Sequence, residues 1–181
     1  MIVNTVTSYK KSIGFTLIEL IIVIILISVL SVSVFSRFSG TAGFSEHTYQ
    51  ARLISSLRNM QTRAMHDNRL GYCFQLNFDK TQAAFGPPIL DYISDAPNAA
   101  VATCSSEIDF SNPEYLATSA TEMGDEGVSL TSDRDFINFD GLGRPIDGDG
   151  QIACASQCKI TLTGESAVSV CIESQGYIHG C

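Results

Sequence analysis

Residues 14–35 read GFTLIELIIVIILISVLSVSVF, and from Phe15 to Phe35 they hold one ionisable side chain, Glu19, and neither Gly nor Pro. At 1.5 Å rise per residue an unbroken helix of this length spans roughly 30 Å, the thickness of bilayer hydrocarbon. Backbone groups at that depth find no water partner, so a lone span must be helical. The stretch therefore predicts a membrane-spanning helix over residues 15–35, continuing weakly to 44. Upstream stand Lys10 and Lys11, which keep the N-terminal side cytoplasmic and send everything after Phe35 to the periplasm or outside.

The residues before the span resemble a secretory signal with one displacement. An ordinary signal peptide has its small-residue cleavage site after the apolar segment. Here Gly14 stands before it, and no such site follows around Ser31–Thr41. Gly14-Phe15-Thr16-Leu17-Ile18-Glu19 resembles the class III signal of type IV prepilins. That resemblance implies a leader over residues 1–14, cut after Gly14 by a membrane-embedded prepilin peptidase that then methylates the new amine of Phe15. The apolar helix is then retained. Glu19 needs a partner, since a charge in hydrocarbon costs about 2.5–3.5 kcal/mol even on the lenient insertion scale. The resemblance supplies one, the free amine of a neighbouring subunit met when subunits pack into a filament. Phe15 and Glu19 lie four apart on one helical face, and Ser28, Ser31 and Ser33 are small enough to let neighbouring helices approach.

Length and charge limit the size and the partners of the rest of the chain. The 181 residues suffice for one long helix and one modest globular domain. Net charge is −8, and because Lys10 and Lys11 are the leader's only charges, the chain without it stands at −10. Such an acidic body, with no basic patch in sight, is repelled by a phosphate backbone, which argues against nucleic acid as partner.

Glycines at 40 and 43 weaken the helix after Phe35, and Ser36 stands where related pilins often carry a kinking proline. Residues 45–69 resume helical periodicity through Tyr49, Leu53, Leu57, Met60 and Ala64, with Arg52, Arg58, Arg63 and Glu46 on other faces. This amphipathic helix is expected to lay its stripe on a sheet, with Met60 and Met65 as core filler. From Gly71 the period shortens to two. Strands are predicted at 72–78, 83–85, 128–130, 136–139, 152–153, 160–163, 167–172 and 176–178. Residues 89–127 are poor in pattern and read as a long excursion, where recognition commonly resides. The fold class is α+β: a long N-terminal helix, its first half membrane-spanning and its second amphipathic, packed on an antiparallel sheet or small β-sandwich over residues 70–181.

Leu57–Met65 with the following strand through Cys73, Ile137–Pro145, and the late pairs Ile160–Thr163 and Val170–Ile172 with Gly176-Tyr177 are similar to the pseudopilin H and minor pilin T family. The cysteine-rich body looks most like a minor pilin of the mannose-sensitive haemagglutinin (MSHA) pilus. These resemblances imply a structural subunit rather than an enzyme, and no cofactor. Its partners would be other pilins, the peptidase, an inner-membrane assembly platform and its ATPase. Its path would run from the inner membrane to an extracellular pilus. A type II secretion pseudopilin and a tip adhesin are the alternatives.

Six cysteines, Cys73, Cys104, Cys154, Cys158, Cys171 and Cys181, read as structural disulfides in an exported domain. Fifteen pairings are open. One has Cys154–Cys158 closing a small loop if 155–157 turn, Cys171–Cys181 tying down the last hairpin, and Cys73–Cys104 anchoring the excursion. Asp147-Gly148-Asp149-Gly150 places two hard oxygen ligands on a tight loop, a candidate for calcium through Asp147 and Asp149. The position a calcium loop would give to a bidentate Glu holds Cys158, and a polar turn joining two strands uses the same residues. Mass spectrometry of the mature protein should find N-methylated Phe15 at its terminus. A chain starting at Met1, or beyond Phe35, would overturn the retained-helix reading.

Overall fold

A computed structural model describes residues 15–38, 44–67, 72–89, 104–111 and 114–181. The leader 1–14, the glycine-bearing stretch 39–43, and the middle of the excursion at 90–103 lie outside the described residues. The chain forms two compact units, one reaching Thr41 and one from Ala42 to Cys181. Helix α1 (Leu17–Phe38) is the described element of the first.

The second unit is organised by α2 (Ser45–His66). Its stripe Tyr49, Leu53, Leu57, Met60 and Ala64 is buried, with Leu53 and Leu57 wholly so. Steps of three and four residues place all five on one helical face, which is why they share one core. Two side chains depart from the expected pattern. Met65 is 46% exposed, one step off the stripe at Ala64, so it is not core filler. Glu46 is fully buried rather than on a solvent face. Its Oε1 accepts the Ser166 amide at 2.5 Å and the Ser166 hydroxyl at 3.1 Å. A Cβ on the neighbouring Gly164 would fit only tightly, 3.0 Å from the Glu46 side chain. Hydrogen bonding, led by the Ser166 amide, holds the Glu46 carboxyl below its ordinary range.

Among the described residues, eight strands form two antiparallel sheets. In the first, β1 (Gln75–Asp79) pairs with β2 (Ala84–Gly86) and with β4 (Phe136–Phe139), and β4 pairs with the two-residue β5 (Pro145–Ile146). In the second, β6 (Gln157–Thr163) lies between β3 (Ser129–Ser132) and β7 (Ala167–Glu173), and β8 (Ile178–Gly180) closes the edge. Period-two alternation turns Cys158, Ile160 and Leu162 inward, opposite Ile172, Val170 and Val168. Ile152 forms only an isolated bridge to Ile146, where the sequence predicts a strand.

Strand β1 is covered on both faces. Leu76 and Phe78 face the core, while the buried amides of Gln75 and Asn77 lie under the returning part of the excursion. Asn77 Nδ2 donates to the carbonyls of Ser105 (2.8 Å) and Glu107 (3.1 Å), and Gln75 Nε2 donates to Asn77 Oδ1. Those pairings permit polar side chains to be buried there. The rest of the excursion holds a 3₁₀ turn at Glu114–Leu116 and a short helix α3 (Ala120–Asp125) that no apolar periodicity announces. Ser119 and Glu122 form a complete capping box at its start.

Gln61 ties two loops to α2, its Nε2 donating to the carbonyls of Gly143 (2.7 Å) and Gly176 (2.6 Å). Gly176 has φ +90°, and a Cβ there would collide with the Gly143 carbonyl. Leu57→Ala is expected to cost about 2–5 kcal/mol in urea unfolding of the full chain in micelles, from lost burial and the cavity left behind. Met65→Ala should stay within about 0.5 kcal/mol. Equal losses would contradict the burial pattern.

Candidate assembly site at the N-terminal helix

The start of α1 is built by two residues of the predicted motif. The Thr16 amide and hydroxyl donate to Glu19 Oε2 at 3.4 and 3.3 Å, and the Glu19 amide donates to Thr16 Oγ1 at 3.3 Å. The Thr16 carbonyl also accepts the amides of Glu19 and Leu20. This is a reciprocal capping box: orphan amides at the helix start are satisfied by one hydroxyl and one carboxylate. The spacing Thr-x-x-Glu is the signal for it. Glu19 thus has a partner within its own chain.

Beyond the cap the surface is aliphatic on every side. Leu17, Ile18, Leu20 to Ile27, Val29 and Leu30 are all exposed, and Phe15 is 81% exposed. Ser28 and Ser31 return their hydroxyls to the helix, donating to the carbonyls of Ile25 (2.8 Å) and Ile27 (2.6 Å). Their polarity is thereby spent internally, and they present small surfaces. A helix apolar all round is covered by something other than water. Described side chains of this helix reach Ser31, and among the described residues no helix is long and apolar enough to cross a membrane. Gly14 lies outside the described residues, so Phe15 and Glu19 are the parts of the predicted site that the structure places.

A protein-family model described as the prokaryotic N-terminal methylation motif matches residues 9–35. The chain carries that motif. It supports a subunit of the type IV pilin or pseudopilin kind, membrane-anchored, processed by prepilin peptidase and assembled with other pilins. No curated protein and no solved structure matches the chain. The α+β architecture, a helix followed by antiparallel sheets, is consistent with the type IV pilin-like fold.

The cysteines serve the fold of the domain. Disulfides join Cys73 to Cys104, Cys154 to Cys158 and Cys171 to Cys181, and no cysteine is free. Cys73–Cys104 closes a 31-residue separation, which removes enough unfolded-state freedom to stabilise by about 3–4 kcal/mol on the chain-entropy model. Asp147 Oδ1 accepts the amides of Asp149 (3.0 Å) and Gln151 (2.9 Å), the arrangement of a side-chain-closed turn. Among the described residues no three acidic, His or Cys side chains gather around it. In the loop before β5, Arg144 Nε and Nη2 lie 2.8 and 2.7 Å from Asp140 Oδ2, and the amides of Leu142 and Arg144 reach Oδ1. Burial pushes the Asp140 carboxyl up, but the Arg144 amide and guanidinium outweigh it and hold it below its ordinary range.

The excursion also lines an open cleft of about 920 Å³ between the β1–β2 turn, residues 106–110 and the start of α3. Asp79, Glu107, Phe110 and Thr121 face it, with Lys80 ion-paired to Asp135 at 2.5 Å.

Removing the cap should fray the first turn of α1. Thr16→Ala is expected to cost about 0.5–2 kcal/mol of local stability, read as faster amide exchange at Ile18 to Leu20 in micelles, while Thr16→Ser keeps it. Unchanged exchange in Thr16→Ala would contradict the capping role.

Proposed function

We propose that the chain is a minor structural subunit of a type IV pilus of the MSHA-like kind. It is made as a precursor and cleaved after Gly14, and Phe15 is then methylated. It waits in the inner membrane with its N-terminus cytoplasmic and its disulfide-bonded domain periplasmic. A cytoplasmic ATPase acting through an inner-membrane platform then draws it into the filament.

The observation that supports this most is a helix exposing aliphatic side chains on all sides, headed by one carboxylate four residues after the processed terminus. In lipid the capping box gives Glu19 an internal partner. In a bundle of such helices the carboxylate meets a neighbour's ammonium, so both charges are buried together and one axial register is favoured. The phase changes from lipid to protein, and the apolar surface stays covered throughout.

Glu19→Ala should leave cleavage and methylation intact, yet reduce incorporation into sheared filaments by more than about fifty-fold, because a neighbour's ammonium is then left unpaired in an apolar bundle. Incorporation at the wild-type level would refute the pairing. Deleting the gene should remove or thin surface pili; loss of protein secretion with pili intact would instead assign the chain to a type II secretion pseudopilus. The cleft beside the excursion favours a second role in adhesion, which substitutions at Phe110 would reduce without lowering the pilus count.

A further inference from the structure

His179 sits near the end of the chain, in the edge strand β8, with an acceptor at each ring nitrogen. Nε2 lies 3.1 Å from Glu173 Oε1, and Nδ1 lies 3.0 Å from the Gly180 carbonyl. A carbonyl only accepts, and so does a carboxylate. A neutral imidazole has one N–H and can satisfy one of them; the imidazolium satisfies both. Glu173 is itself fixed, since Gln157 Nε2 donates to the same oxygen at 2.7 Å. Tyr177 stacks on the His179 ring, centroids 4.7 Å apart and planes 19° from parallel, which suits a cation over an aromatic face.

We propose that His179 is held as an imidazolium that clasps β8 to β7, so that loss of one proton loosens the C-terminal strand. The proposal stands apart from the assembly reading, because every group in it belongs to the globular unit. The consequence is local: β8 is three residues long and pairs with β7, while burial of Ile178, the Arg58 bond to its carbonyl and the Cys171–Cys181 bridge just beyond the strand hold it in place when the clasp loosens. Glu173 faces His179 from β7, and Lys159 stands in the same cross-strand row on β6, beyond Cys171. Arg58 of α2 reaches the Ile178 carbonyl. Cys171 and Cys181 are bridged and do not titrate.

The Glu173 and Gly180 hydrogen bonds raise the His179 pKa above its ordinary 6.5. The Gln157 and His179 hydrogen bonds lower that of Glu173 from 4.5. The sign follows from linkage. The His179 contribution is whole below pH 6.5 and is lost as pH rises through the raised value. The Glu173 contribution is whole above pH 4.5 and is lost as pH falls through the lowered one. The clasp is tightest between the two.

Long-range proton–nitrogen NMR of the full chain in micelles, titrated across pH 5 to 9, tests this directly. The His179 midpoint should lie above 6.5, with both ring nitrogens protonated below it. Amide protection at Ile178 to Gly180, corrected for intrinsic exchange, should fall as the ring titrates, no more steeply than about tenfold per pH unit, the limit for one proton. Glu173→Gln should move the His179 midpoint down. A His179 midpoint at or below 6.5, or protection of β8 that ignores the titration, would overturn the proposal in the wild-type protein alone. An unmoved midpoint in a folded Glu173→Gln chain would do the same.

Discussion

The constraint that everything else answers to is the apolar surface of α1. Aliphatic side chains from Leu17 to Leu30 point outward in every direction, and each hydroxyl among them is already bonded to the helix backbone. Exposure on that scale is unfavourable in water by about 25 cal/mol for each Å² left wet. Lipid relieves it, and so does a bundle of like helices. What distinguishes the two environments is the carboxylate of Glu19. In the isolated chain it closes a capping box with Thr16, which fixes where the helix begins. The residue before that cap is Phe15, within the stretch that the methylation motif covers. One helical turn therefore holds both Phe15, the proposed mature terminus, and the one ionisable side chain between Phe15 and Phe35.

The globular unit solves a different problem, holding its short strands in two sheets around α2. α2 does this through its buried stripe and through polar ties at both ends. Near its start, the carboxylate of Glu46 gathers the β6–β7 turn through Ser166. Near its end, Gln61 gathers the loops at Gly143 and Gly176. The excursion is secured by Cys73–Cys104 and by the buried amides of Gln75 and Asn77. Long sequence separations thus rest on few contacts. Such contacts are costly to break singly, because each leaves a buried polar group without its partner.

Periodic features were legible in the sequence. The stripe from Tyr49 to Ala64 and the alternation in β6 and β7 depend on geometry that the spacing of apolar residues carries directly. The disulfide pairs in the structure are the ones that spacing and the last hairpin suggested among fifteen possibilities. Features fixed by tertiary partners were not legible. Glu46 looks like a surface acid until Ser166 is placed beside it, and β5 is a strand only because β4 offers Asn138 and Phe139 as partners. The two capping boxes fall between these cases. Thr16-x-x-Glu19 and Ser119-x-x-Glu122 are readable as local chemistry, but the first is absorbed into a motif read for processing and the second lies in a stretch poor in periodic pattern.

The proposed assembly requires α1 to leave lipid and pack against the helices of other subunits. Photocrosslinking from an unnatural side chain at Ile22, in sheared extracellular filaments, measures that contact itself. Covalent adducts between this helix and the N-terminal helix of another subunit are the predicted result. Adducts confined to phospholipid, with the chain absent from the filaments, would contradict it.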